Sequence, residues 1–357
     1  MDLINRTPVV AEVLVGEVAQ PFRVGVVTAK ATFRIGAGGP ELDGDRALPI
    51  LHADQQTDLG LLPRDVIPRT DAAFEVMLLG AAYAPGGRPI AERTVALAVG
   101  SERRELTIVG DRVWESGPKG WRISRPTPFT RMPISYDRAF GGTCEVLIDR
   151  DAPIDVSDPV NPRGRGFDPA PSVKAFAEQL RPPRGYPRYD TTRRLPNIED
   201  PRARIRRWAD APRPAGWGSV PIDTALHAQR ATSPRPEARF GEAPAELTVG
   251  ALHRAHPDWV IPRPAAGAEV SLEGLTPEPR LGFRLPAVRV VADYIAGAHT
   301  GTLELAPHAL VLLPEERRFY LVYRAIFSVF YRPDEERCLR LRLLDGWCSP
   351  PAGGPPQ

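Results

Sequence analysis

VVAEVLVGEVAQ (residues 9–20) runs straight into PFRVGVVTAKATFRI (residues 21–35), and the reading of these two phrases decides the fold class. Both show the alternation or β-branched enrichment of strands. The same texture recurs in AFEVMLLGAAYA (73–84), TVALAVG (94–100) and RRELTIVGDRVW (103–114), the last with its own turn signal at Gly110-Asp111. Turn punctuation between the runs is dense: GAGG at 36–39, APGG at 84–87 and SGPKG at 116–120. Strands so closely spaced, without long helical patterns between them, point to a sandwich or barrel.

Working outward, the texture changes at about residue 141. From 141 to 264 proline, arginine and aspartate dominate and apolar runs are short. SVKAFAEQL (172–180) and IDTALHAQRA (222–231) read as short helices, with Ser172 and Asp223 as capping residues. ELTVGALHRAH (246–256) reads equally as strand or helix. Strands return from 265 to 347, and the final 348–357 has no apolar anchor, so a disordered tail is expected. The expectation is a mainly β protein. An antiparallel, sandwich-like body falls into two zones (1–140 and 265–347), joined by a loop-rich segment (141–264) with Pro/Arg-rich loops and a few short helices.

Composition narrows the function classes. The 46 basic and 44 acidic residues nearly cancel, leaving a net charge of +2 and no global field for nucleic acid or anionic membrane. The N-terminus lacks a basic start before its apolar run, and no stretch is long and apolar enough to span a bilayer. Cys144, Cys338 and Cys348 form no C-x-x-C pair, which fits a reducing compartment. A cytoplasmic protein is expected. The 41 prolines fall between strand-like runs and read as stiff loops on a folded body.

Constellations that carry chemistry are sparse. His253 and His256 form an H-x-x-H with Asp258 nearby, but spacing fixes no third ligand. The acidic run DRDAPIDVSD (149–158) lacks the glycine and terminal glutamate of a calcium loop. No nucleophile is nominated with its base. No metal, cofactor or catalytic residue is assigned. Arg181 to Arg207 holds nine arginines with Tyr186 and Tyr189 interleaved, a stretch that could track a phosphate backbone or stand as a solvated loop.

The middle of the chain carries distinctive phrases: RMPISYDRAFGG (131–142), NPRGRGF (161–167), RLPNIEDP (194–201) and PAGWG (214–218). Upstream lie VVTAKATFRI (26–35), LGAAYAPGGRP (79–89) and VGDRVW (109–114). In this order, over roughly residues 1–220, they resemble the domain-of-unknown-function 2169 family, and the likeness weakens beyond. The resemblance implies a non-catalytic adaptor, or effector chaperone, of type VI secretion. Its implied partners are a secreted effector and the valine-glycine repeat spike or its tip, with no nucleic acid and no membrane among them.

The motif residues put forward for partner binding are Tyr136, Arg138, Phe140, Gly141, Gly142, Asn161, Arg163, Gly164, Arg165, Gly166, Phe167, Pro196, Asn197, Glu199 and Trp217. Gly141 and Gly142 can take positive φ and let Phe140 swing inward. Arg163 and Arg165 are expected to point outward, Asn197 to close an Asx-turn, and Trp217 to expose both ring faces between its glycines. Two other classes compete. One is a hydrolase of carbohydrate or peptidoglycan, using Asp111 with Asp137 or Glu199 with Asp200. The other is a nucleic-acid binder through Arg181–Arg207.

Overall fold

The computed structural model describes residues 1–19, 22–67, 72–118, 120–149, 152–169, 188–189, 193–220, 232–234, 245–247, 253–296, 299–330 and 337–345. Two sheets carry the architecture. Their strands are β1 (Asp2–Asn5), β2 (Val10–Ala19), β3 (Phe22–Gly36), β4 (Ala73–Leu78), β5 (Glu92–Val99) and β6 (Glu102–Val109). From the C-terminal zone come β7 (Val260–Pro262), β8 (Glu269–Glu273), β9 (Arg280–Arg284), β10 (Val288–Ala296), β11 (His299–Leu313), β12 (Arg318–Phe330) and β13 (Arg337–Asp345).

The larger sheet runs β1-β13-β10-β11-β12-β3-β2, with β4 added against β11, β7 against β4, and Gly39–Leu42 folded back on β3. The smaller sheet runs from Ile198–Glu199 through β6, β5 and β8 to β9. Pairing is mostly antiparallel; β1 with β13 and β4 with β11 are parallel. The chain is therefore mainly β, as the sequence indicates. The two strand-rich zones share both sheets: β3 pairs with β12 from Arg34↔Arg318 to Phe22↔Phe330, and β5 pairs with β8.

The sheets pack face to face on a common apolar core. Phe319 of β12 is sandwiched between Phe33 of β3 (centroids 5.0 Å apart) and Phe283 of β9 (4.7 Å), both nearly parallel to it. Val95, Leu97 and Val99 recur at every second position of β5 and turn one face of the sheet into the core, and the small Ala96 between them is buried as well. A second, smaller cluster gathers Trp114, Phe140, Leu195 and Ile205 beneath the motif loops.

Helical geometry among the described residues is confined to 3₁₀ turns such as Tyr136–Arg138 and Pro257–Trp259. The expected helices at 172–180 and 222–231 and the 348–357 tail lie outside the described residues, as do 181–187 and 190–192 of the arginine-rich stretch. In the ambiguous run 246–256, Ala245–Leu247 opens as strand and His256 ends as the cap of a 3₁₀ turn. Among the described residues no helix is long and apolar enough to cross a membrane.

Candidate functional site

The motif phrases, far apart in sequence, meet in one hydrogen-bonded node. Phe140–Gly141 pairs in parallel with Arg165–Gly166, Ile198–Glu199 pairs with Thr107–Ile108 of β6, and Arg131–Pro133 pairs with Ala81–Tyr83. Asn161 sits at the centre with no exposed surface; its amide donates to the carbonyls of Tyr136 (2.8 Å) and Phe140 (2.9 Å). Asn197 is equally buried. It donates to the Val109 carbonyl and Asp111, both at 3.0 Å, and accepts from Arg165 (3.1 Å) and Arg138 (3.2 Å). Gly141 and Gly142 take φ of +134° and +128°, and Phe140 turns inward as expected. A side chain at Gly164 would press on Asn161 and the Ala139 carbonyl, so close backbone packing explains that glycine.

Several motif residues are placed differently from the expectation. Trp217 is buried, packed edge-on against Trp259 (6.3 Å), and does not expose its ring faces. Gly216 cannot leave the ring open because Tyr136 lies against it. Arg165 turns inward to the Asp137 carbonyl (3.0 Å) and Asn197, while Arg163 is exposed and pairs with Asp137 (3.2 Å). Asn197 forms no Asx-turn; Asp200 does, accepting the Arg202 amide at 2.8 Å. Glu199 is buried between Arg112 (3.0 Å) and Arg204 (3.1 Å). Pro196 is buried, and Phe167 is half-buried with its amide donating to Gly141. Of the fifteen motif candidates, Arg163 alone is exposed rather than buried or half-buried, so the motifs read as a frame rather than an anchor surface.

The paired acids are committed to arginines. Asp111 faces Arg165 (3.5 Å) and Arg138 (3.7 Å), and hydrogen bonding from Arg202 holds Asp200 below the usual carboxylate range despite partial burial. His256 accepts from the Asp258 amide and contacts the Pro214 carbonyl; burial pushes its pKa down, against the pull of Asp258. Among the described residues no group of three His, Cys, Asp or Glu is arranged to hold a metal.

Sequence reading missed a second assembly on the face of β3 and β12 that bears Thr28, Lys30, Thr32, Tyr320 and Arg324. Register places these residues in rows, with Thr28 opposite Arg324 and Thr32 opposite Tyr320. Residues 43–67 cross over this polar face. Lys30 Nζ reaches Asp65 at 2.6 Å and the Pro49 carbonyl at 2.8 Å, and lies 4.3 Å above the Tyr320 ring. Asp65 also accepts the Leu51 amide (2.7 Å), and its carbonyl accepts from Arg324 (2.7 Å). Burial lowers the Lys30 pKa against the opposing pull of Asp65, and burial raises that of Tyr320, with Asp65 adding to the rise.

Between this face and the crossing segment lies a cavity of about 400 Å³. Leu48, Leu51, Leu59, Leu62, Leu79, Leu313 and Pro49 form half of its lining, and Lys30, Gln55, Thr57, Asp58, Glu315, Glu316 and Tyr320 form the other half. The signal was present in VVTAKATFRI: Thr28, Lys30, Thr32 and Arg34 take every second position between apolar residues, and the first three form a buried polar stripe on one sheet face. The partner Asp65 is 35 residues away, and nothing local marks it.

β2 is a sheet edge. Among the described residues it pairs only with β3, and Leu14 and Val15 are each 43% exposed. On it the Glu12 carboxylate lies 2.8 Å from the His52 ring nitrogen.

Residues 22–324 match the family model described as an uncharacterized protein conserved in bacteria (DUF2169). That span is most of the chain, and the chain belongs to this family. No curated protein and no solved structure matches it.

Proposed function

We propose that this bacterial DUF2169-family chain is a non-catalytic cytoplasmic adaptor, or effector chaperone, that holds a type VI secretion effector and helps load it onto the spike. The observation that carries the reading is the β2 edge. Val10–Ala19 contains no proline or lysine, the residues that usually blunt an open edge, and two adjacent apolar side chains stand exposed on it. An extended segment of an effector can add there as a further strand, with backbone hydrogen bonds supplying affinity and the alternating side chains specificity. The motif node supports this role by fixing loops between the sheets, so the partner meets a preformed surface and little ordering entropy opposes binding.

The test is affinity capture by the tagged chain from its own host's lysate, at low and moderate salt, read by mass spectrometry. Recovery of a spike component or toxin that persists at moderate salt supports the reading. Recovery of nucleic acid lost as salt rises, or of no secretion component, overturns it.

A further inference from the structure

Four of the motif phrases each send one charged side chain to a single spot: Asp111, Arg138, Arg165 and Arg194. Arg138 and Arg165 face Asp111, and Arg194 lies close enough to act on the Arg165 charge. Arg138 and Arg165 both donate to the Asn197 side-chain oxygen, at 3.2 and 3.1 Å, and Arg165 is held further by the Asp137 carbonyl. One buried amide thus fixes two guanidinium groups in place. Each group retains an Nη2 nitrogen that has no partner among the described residues and is not sealed from solvent.

Among the described residues the charges at this spot do not balance. Asp111 is 66% exposed and stands 3.5 Å from Arg165 and 3.7 Å from Arg138, at or beyond the limit of a hydrogen bond. Asp137 also acts on Arg165, but it pairs more closely with Arg163, at 3.2 Å. Glu199 and Glu92 are taken up by Arg112 and Arg204, and Glu115 by Arg122. Arg194 is exposed and has no ion pair among the described residues. Arginine is in excess. Burial first, then crowding by Arg138 and Arg194, lowers the Arg165 pKa against the pull of Asp111 and Asp137. A bound anion would relieve that crowding.

The surroundings select among anions. Val113 is 40% exposed and lies opposite Arg194 across an antiparallel bridge, which puts the two side chains on one face. A ligand with an apolar group beside its charge can cover both. A dianionic phosphate would be repelled by Asp111, whereas a single carboxylate matches the forked guanidinium donors with less repulsion. We propose that Arg138, Arg165 and Arg194 bind a carboxylate of a partner polypeptide, whose neighbouring apolar side chain rests on Val113. The inference goes beyond the adaptor reading, does not require it, and uses a surface other than the β2 edge.

The probe is the blocked peptide Gly-Leu-Asp-Leu-Gly, titrated into the full chain and followed by NMR of the arginine Nε–H groups and the Val113 methyls. Saturable shifts at Arg138, Arg165 and Val113 are expected. The asparagine analogue should bind at least about tenfold more weakly, the scale of one charge-assisted hydrogen bond. Gly-Gly-Asp-Gly-Gly should bind about threefold more weakly than the leucine peptide, and Val113→Ser should remove that difference. Arg194→Gln should weaken the leucine peptide about threefold, whereas Arg284→Gln, on β9 at the other end of the smaller sheet, should change it by less than about twofold. Asp111→Asn should tighten binding about threefold, because the site loses the carboxylate that opposes the ligand.

No saturable shift, equal affinity for the asparagine analogue, or weaker binding by folded Asp111→Asn overturns the proposal. So does tighter binding of inorganic phosphate or oligo-dT than of the aspartate peptide, which would mark the cluster as a phosphate site. Shifts mapping away from Arg138, Arg165 and Val113 in the unaltered chain overturn it even if a variant fails to fold. Because the titration needs no secretion partner, failed capture from lysate counts against the adaptor reading and leaves the carboxylate site standing.

Discussion

The Lys30 ammonium lies 2.6 Å from the Asp65 carboxylate, and the two side chains are only 1% and 2% exposed. The pair ties the crossing segment 43–67 to the middle of β3. Removing one member of a buried pair strands the other charge, a loss of about 3–5 kcal/mol, whereas replacing both with apolar groups of similar size is close to neutral. Asp65→Ala should therefore lower stability by about 3 kcal/mol or more. Lys30→Met combined with Asp65→Leu should recover most of that loss. Urea unfolding of the two single variants and the double variant checks this; additive losses in the double variant would show that the pair is not coupled.

The same lysine gives the protein a pH signature. Burial lowers the folded-state pKa of Lys30 below its ordinary value of 10.5. Between the lowered value and about 10.4 the unfolded chain binds more protons at this site than the folded one, so its contribution to stability rises as pH rises through that window. Below the lowered value the contribution is at its least favourable and constant. The stability difference between the unaltered protein and Lys30→Met should shift in favour of the unaltered protein as pH increases across the window. Parallel urea midpoints from pH 7 to 10 for the two proteins would sink this assignment.

Gly141 has a φ of +134°, and a Cβ there would collide with the Asn161 carbonyl oxygen. Gly141→Ala should cost at least about 3 kcal/mol, combining backbone strain with displacement of the buried Asn161. Gly38→Ala is the control, since nothing lies within 4 Å of the added carbon and its φ is not positive. Thermal unfolding that responds equally to both substitutions would contradict the crowding argument.

Trp217 is 2% exposed and packs edge-on against Trp259. Trp217→Ala should accordingly destabilise the fold by about 3–5 kcal/mol through the cavity it leaves. Soluble yield and urea unfolding report this directly. Unchanged stability would return Trp217 to the role of a surface anchor.

What was legible in the sequence follows the range of the underlying physics. Strand alternation is local, so the runs at 22–36, 92–99 and 318–330 could be read, and with them the mainly β class. The inward turn of Phe140 is likewise local, since it depends on the two glycines that follow. Sheet order, by contrast, depends on contacts such as Phe33 against Phe319, which no local pattern contains. The motif phrases were recognised as distinctive, but flanking glycines suggested exposure of Trp217, whereas Tyr136 closes that space from a segment about 80 residues earlier. Lys30 stood only as one residue within the strand-like phrase 21–35. Its partner Asp65 and the cavity wall arise from a segment whose sequence reads as ordinary loop.

The β2 edge separates stability from partner capture. Leu14 and Val15 are each 43% exposed, and within the described residues β2 has a strand neighbour on one side only. Substituting both with lysine removes little buried area, so stability should change by no more than about 0.5 kcal/mol per site. The added charges oppose docking of another strand, as lysines do on natural protected edges. The Leu14→Lys, Val15→Lys protein should therefore unfold at nearly the same urea concentration as the unaltered chain while retaining less than about a tenth of its effector or spike capture, a loss of more than about 1.4 kcal/mol in binding. Undiminished capture by a fully folded double variant would move the interface away from β2 and remove the main support for strand addition.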